Sequence, residues 1–323
     1  MELELFLADV ERKPATLAGL AERCAGGVDW GIDLASVEQV VLLGMGSSRY
    51  AAEFCARSLR AQGIPAWADY SSAFSDHIFD ANTLVVLISA SGSTPETLAA
   101  AESVRGLGLT MALTNSPGSP LESIARGSID VAAGVEASGA VTRSMVHTIV
   151  VLQALSNALT GGSGLSASDL ARRGAEAVAD LLDRRDTWLP RTADLLDGAA
   201  GVHFLAPAWR MASAAQSALI VREVPRRPAM ACETHDWPHV DVYLTSSTDY
   251  WAVLFGKTAA DPEVLRWMTM RDSVAVAVGD EIPGVAGVVT YPHADEPLVS
   301  LLADTVVAEL VAHRWASTRS QGG

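Results

Sequence analysis

Leu84-Val85-Val86-Leu87-Ile88-Ser89-Ala90-Ser91-Gly92-Ser93-Thr94-Pro95-Glu96-Thr97 runs five apolar residues without a polar break, then packs four hydroxyls and a glycine into six residues before a proline. A short apolar run closed by turn residues is the pattern of a strand buried on both faces of a parallel sheet. Pro95 suits the first turn of a helix, where its missing N–H is not needed. A strand handing over to a helix through such a loop offers free backbone N–H groups, hydroxyl donors and the positive end of a helix dipole. Together these form an anion site that needs no basic side chain. One Ser or Thr there would be an ordinary N-cap. Four hydroxyls around a glycine, at the expected carboxyl edge of a parallel sheet, point to a phosphate group.

The same plan extends in both directions. Val40-Val41-Leu42-Leu43 ends in Gly44-Met45-Gly46-Ser47-Ser48, and a helix is expected over about 50–61. Downstream, the pattern predicts a strand at 109–113, a short helix at 121–125, a strand at 129–132 and a long helix over about 143–159. Residues 3–24 read as an amphipathic helix that restarts near Pro14. Gly161-Gly162-Ser163-Gly164 breaks the chain, and 166–197 reads as a mostly helical connector. A second run then begins: a strand at 201–206, a helix over 209–223, strands at 240–245, 251–255 and 273–278, and a last helix over about 298–315. Apolar strands alternating with helices indicate an α/β fold. The expected organisation is an N-terminal helical segment (1–37), a first α/β domain (38–160), a helical connector (161–197) and a second α/β domain (198–323).

Composition narrows the function. Of 323 residues 38 are acidic and 23 basic, for a formal charge of −15, with 49% hydrophobic and 19% charged residues. That is the balance of a globular chain, and its sign disfavours partners that bind through Lys and Arg, namely nucleic acids and anionic membranes. No apolar run approaches the roughly 20 residues of a bilayer span. Three cysteines, an odd number in a long chain, read as reduced thiols, and the acidic start Met-Glu-Leu-Glu-Leu-Phe is unlike a signal peptide. A cytoplasmic protein is the expectation. The only lysines are Lys13 and Lys257. A dinucleotide fingerprint in Gly44–Ser48 would need a third glycine where Arg49 stands, although Asp69 is loosely placed for its acidic partner. A phosphate pocket built from hydroxyls and backbone should bind with weak salt dependence. A steep fall in phosphate-ester affinity between low and high salt, measured by calorimetry, would reveal an arginine-based site instead.

Gly44–Ser48, Ser89–Thr94, Leu113-Thr114-Asn115, Ala133-Gly134-Val135-Glu136 and Val141-Thr142-Arg143-Ser144 follow one another in an order that resembles a sugar isomerase (SIS) domain. The pattern is similar to the isomerase half of glutamine–fructose-6-phosphate aminotransferases, and to stand-alone glucosamine-6-phosphate deaminases and fructosamine-6-phosphate deglycases. The resemblance covers about 38–160 well and 197–320 weakly. It implies two tandem SIS-type domains, each a mostly parallel sheet flanked by helices, in a homodimer with its site near the subunit contact. It further implies that Ser89, Ser91 and Thr94 hold a sugar phosphate with help from Ser48, and that Ser47 meets sugar hydroxyls. Thr142 and nearby main chain would touch the sugar. Two positions depart from the family: Ala90 replaces a glutamine and Val141 a serine.

By the same resemblance, Arg222-Glu223-Val224 matches the segment of the catalytic glutamate, which moves a proton between C1 and C2 of an open-chain sugar. A desolvated carboxyl suits that task; a solvated helix end paired with Arg222, Arg226 or Arg227 is the competing reading. The ring-opening histidine would be His239, with His235 as a rival and Glu233 as a second possible acid. The family's C-terminal lysine is missing, and Ile220 stands where a lysine precedes the glutamate. Imine catalysis through lysine is therefore disfavoured. No metal or organic cofactor is expected, and Cys232, His235 and His239 form only a weak zinc pattern. The expected activity is a phosphosugar isomerase, or an amino-sugar-phosphate deaminase, acting on a sugar 6-phosphate by C2-to-C1 proton transfer. A non-catalytic sugar-phosphate sensor is the alternative.

Overall fold

A computed structural model describes residues 1–162 and 164–321. The chain divides into two compact units: one from Ala15–Glu136 and Val141–Arg172, the other from Met1–Pro14, Ala137–Ala140 and Arg173 onward.

The first, the serine-loop unit, holds β1 (Gln39–Gly44), β2 (Ala66–Tyr70), β3 (Thr83–Ile88), β4 (Leu109–Thr114) and β5 (Gly127–Asp130) in the order β2-β1-β3-β4-β5, all parallel. Helices α1 (Leu3–Glu11) and α2 (Lys13–Cys24) open the chain; this unit's helices include α3 (Ser47–Ala61), α4 (Pro95–Ser103), α5 (Pro120–Ile124) and α6 (Arg143–Thr160), and α7 (Ala167–Asp183) and α8 (Arg185–Leu195) follow in sequence. Every residue of β3 is buried, as its unbroken apolar sequence demands. Val41, Leu43, Val85, Leu87 and Ala112 form one core layer with Ala100 and Ala101 of α4 and with Val104 just after it.

The second, the glutamate unit, repeats the plan. Strands β6 (Val202–Ala206), β7 (Ala229–Glu233), β8 (Trp251–Phe255), β9 (Val274–Val278) and β10 (Gly287–Val289) lie in the order β7-β6-β8-β9-β10, again all parallel. The order matches the first sheet strand for strand. Helices α9 (Met211–Glu223), α10 (Asp261–Met270) and α11 (Pro297–Gln321) accompany it. The chain is thus an α/β protein with two parallel five-stranded sheets flanked by helices.

Two expected strands differ. Residues 240–245 are not a strand but lie in short 3-10 turns, Trp237–His239 and Asp241–Ser246. Trp237 and Val242 are drawn into the core beside Tyr250 and Leu205, and the Thr245 hydroxyl closes on Val242 O at 2.6 Å, so local turns win over extension. The strand beside β6 is β7, whose mixed burial is that of a sheet edge and carried no clear apolar signal. The strand expected at 129–132 begins and ends two residues earlier. Asp130 Oδ1 accepts the Ala132 N–H at 2.7 Å and turns the chain, and Ala132 takes φ +57. At its start, a Cβ on Gly127 would stand 2.8 Å from the Trp30 carbonyl.

Candidate functional site

In a sheet of order 2-1-3-4-5 the chain direction reverses between strands 1 and 3, and the crevice at their carboxyl ends is where such folds bind ligands. Gly44 pairs with Ile88 across β1 and β3. The loops that follow, Gly44–Ser48 and Ser89–Thr94, are therefore neighbours at that crevice.

Each loop is shaped by a glycine with positive φ. Gly46 (φ +50) precedes α3, and its neighbour Gly44 has no room for a Cβ, which would come within 2.9 Å of Arg49 N. Among the described residues the hydroxyls of Ser47 and Ser48 have no protein partner. Gly92 (φ +60) bends the second loop, and its N–H donates to Ser89 O at 2.9 Å. Ser89 is buried, with its hydroxyl 2.8 Å from that of Thr94. Ser91 is exposed and accepts from the Ser93 hydroxyl at 3.0 Å. Thr94 stands at the N-cap of α4 without making a side-chain cap, so that helix end keeps its donors. The Arg49 guanidinium is engaged by Glu53 and by the ring of Tyr70 at 4.4 Å.

Thr142 is placed otherwise. It is buried, and its N–H and hydroxyl both donate to Glu136 Oε1, at 2.6 and 3.1 Å. The same carboxylate takes Arg143 N–H and the Ser144 hydroxyl. The N-terminus of α6 is thus filled from within the chain.

The equivalent crevice of the glutamate unit lies between β6 and β8, and donors in both of its loops are taken by carboxylates. After β6, the Ala208 N–H donates to Glu233 Oε1 at 3.1 Å. After β8, Asp261-Pro262-Glu263 stands where the first unit has Thr94-Pro95-Glu96. Asp261 is buried and accepts Thr258 N–H and hydroxyl at 2.8 and 2.7 Å. Burial works against ionisation of Glu233, but hydrogen bonds from His235 and from the Asp236 and His235 amides outweigh it and hold its carboxyl below the usual glutamate value. Two carboxylates thus take loop donors in this unit, while the N-terminus of α10, like that of α4, carries no side-chain cap.

Glu223 ends α9. With Met1, Leu3, Val224 and Ala316 it lines a cleft of about 250 Å³. Partial burial raises its pKa, and the nearby Arg222 charge opposes that rise. His239 and His235 are exposed. Helix α9 returns from the carboxyl end of β6 to the amino end of β7, and β7 runs forward again. Glu223 therefore lies at the amino edge of this sheet and His239 at the carboxyl edge, separated by a helix about 20 Å long. Among the described residues no three His, Cys, Asp or Glu side chains are grouped to hold a metal, so Cys232, His235 and His239 do not form a ligand set. Lys257 is exposed in the loop after β8. Among the described residues no helix is long and apolar enough to cross a membrane.

The SIS domain family model matches residues 33–158, the span that carries both open loops. Residues 33–158 are a SIS domain. The chain is 35% identical over 127 residues to an isomerizing glutamine–fructose-6-phosphate aminotransferase of Tropheryma whipplei, over 38% of this chain and 21% of that protein. A protein of the same name from Aeropyrum pernix is 27% identical over 281 residues, 80% of this chain and 44% of the relative. The chain thus spans less than half the length of either relative. The C-terminal domain of glucosamine-fructose-6-phosphate aminotransferase from Francisella tularensis has the same fold, with a TM-score of 0.84 at 16% identity over 98% of this chain and 96% of that one. The fold is that of two tandem SIS-type domains.

Proposed function

We propose that this protein is a phosphosugar isomerase acting on a sugar 6-phosphate, and a deaminase where C2 carries an amine. The observation that carries this reading is the contrast between the two switch-point crevices: in one, Glu233 and Asp261 take loop donors; in the other, among the described residues, the Ser47 and Ser48 hydroxyls have no protein partner and the hydroxyls of Ser89–Thr94 bond only within that loop. In this reading Ser89, Ser91, Thr94 and Ser48 bind the phosphate, and Ser47 meets sugar hydroxyls. Thr142, committed to Glu136, contributes by shaping the backbone beside the sugar. The Glu223 carboxylate takes the proton from C2 of the open-chain aldose while the C2–H pair forms the C1–C2 double bond and the carbonyl pair moves onto O1; the proton then returns to C1 as the O2 hydroxyl proton passes to O1, giving the ketose. With an amine on C2 the resulting imine is hydrolysed by water and ammonia leaves. His239 opens the ring. Since His239 and Glu223 occupy opposite edges of one sheet, a histidine serving the same sugar as Glu223 would come from a second copy, which favours a homodimer. A cytoplasmic location fits a phosphosugar substrate.

The test is solvent deuterium exchange into fructose 6-phosphate and glucosamine 6-phosphate. Glu223→Gln should cut exchange by at least ~100-fold. Unchanged exchange in that variant would reject the mechanism, and tight binding with no exchange by the unaltered chain would make it a sensor. A base must be deprotonated, so kcat/KM should rise with pH through the Glu223 pKa. That limb should lie above the 4.5 of an ordinary glutamate. Arg222→Ala removes the opposing charge and should move the limb higher; a downward move would contradict the assignment.

A further inference from the structure

Helix α9 closes with Val224 N–H on Ile220 O at 2.9 Å and Arg227 N–H on Val221 O at 3.1 Å. Between those bonds Arg226 takes φ +54. Glycine, or less often asparagine, usually occupies such a left-handed position after a helix, because a Cβ there is strained. The next residue, Arg227, is committed to structure: it bonds Gly198 O at 2.6 Å and Asp197 at 2.5 Å, and lies 4.2 Å from the Trp315 ring centroid. Arg226 is exposed and makes no hydrogen bond or ion pair with any described residue. It nevertheless lines the same cleft as Glu223. A strained backbone that carries an unengaged guanidinium in one cleft with a carboxyl is the pattern of a functional site.

We infer that Arg226 is a catalytic residue of the reaction assigned to Glu223, donating hydrogen bonds to the sugar oxygen that becomes negative. This rests on the reading of Glu223 as the base. When Glu223 takes the C2 proton, the C2–H electron pair forms the C1–C2 double bond and the carbonyl pair moves onto O1. Arg226 stabilises that enediolate oxygen, and its charge is worth more as the negative charge develops. Collapse of the enediolate delivers the Glu223 proton to C1 while the O2 hydroxyl proton passes to O1, which leaves a C2 ketone and a neutral C1 hydroxyl and consumes nothing else.

Arg226→Gly tests this in the full chain, because glycine adopts the native φ without strain. The melting temperature should be unchanged or a few degrees higher. With fructose 6-phosphate and glucosamine 6-phosphate in deuterated water, kcat for exchange should fall ~100-fold or more while KM stays within about threefold. Millimolar guanidinium should restore part of the lost rate. A lower melting temperature, exchange within about threefold of the unaltered chain, or a loss confined to KM would each overturn the inference. If Arg226→Gly is silent while Glu223→Gln is inactive, only the arginine's role fails. If Glu223→Gln is also silent, or the unaltered chain exchanges neither sugar, the underlying reading fails with it.

Discussion

Lys13→Met is expected to lower stability by about 3–5 kcal/mol, the cost of stranding a buried charge. Lys13 Nζ reaches both oxygens of Glu309, at 2.6 and 2.7 Å, and Thr305 Oγ1 at 3.3 Å. Both side chains of the pair are 0% exposed. Glu309 lies in α11, whose flank packs on α9, the helix that ends at Glu223. Methionine fills most of the lysine stem's volume but leaves Glu309 without its cation. Removing both charges should restore much of the loss, because a buried pair replaced by apolar or neutral groups of similar size is often nearly neutral. Denaturant unfolding of Lys13→Met, Glu309→Gln and the double variant measures this directly. A loss under about 1 kcal/mol in Lys13→Met would mean that water reaches the pair.

Gly92→Ala should disable the serine loop. A Cβ there would stand 2.1 Å from Ser119 Oγ and 2.3 Å from Ser119 Cβ, on a backbone at φ +60. The collision is hard to relax, because Leu121 N–H donates to Gly92 O at 3.0 Å and ties the start of α5 to the loop. Overpacking of this kind costs about 1–3 kcal/mol. If this loop holds the phosphate, displaced donors should weaken fructose 6-phosphate binding at least ~10-fold, since each misplaced bond to an anion is worth about 1.5–3 kcal/mol. Ser119→Gly removes both clashing atoms, so the double variant should recover most of the affinity. Titration calorimetry on the three proteins decides the matter. Undiminished binding by Gly92→Ala would place the phosphate elsewhere.

Much of the fold is legible from local pattern. Central strands such as β3 and β8 are buried on both faces, so their sequences are continuous apolar runs that can be read without a structure. The edge strands β2, β7 and β10 are half exposed and escape that reading, and the apolar stretch at 240–245 mimics a strand while folding as turns. The serine loop was equally legible, because hydroxyls and glycine at a strand-to-helix handover are consecutive in the chain. Arg226 was visible only as one of several charges near Glu223, since nothing in its neighbours' identities announces φ +54.

The sequence alone determined the α/β plan and the two glycine–serine loops, because each depends on residues adjacent along the chain. Tertiary structure alone decided which crevice stays open. Glu233 reaches Ala208 from 25 positions away, and Glu136 consumes the donors of Thr142. It also decided that Glu223 and His239, sixteen residues apart, stand at opposite edges of one sheet. Those outcomes depend on where crossover helices return the chain and on which donors a carboxylate meets there, and both are properties of packing in three dimensions rather than of sequence spacing.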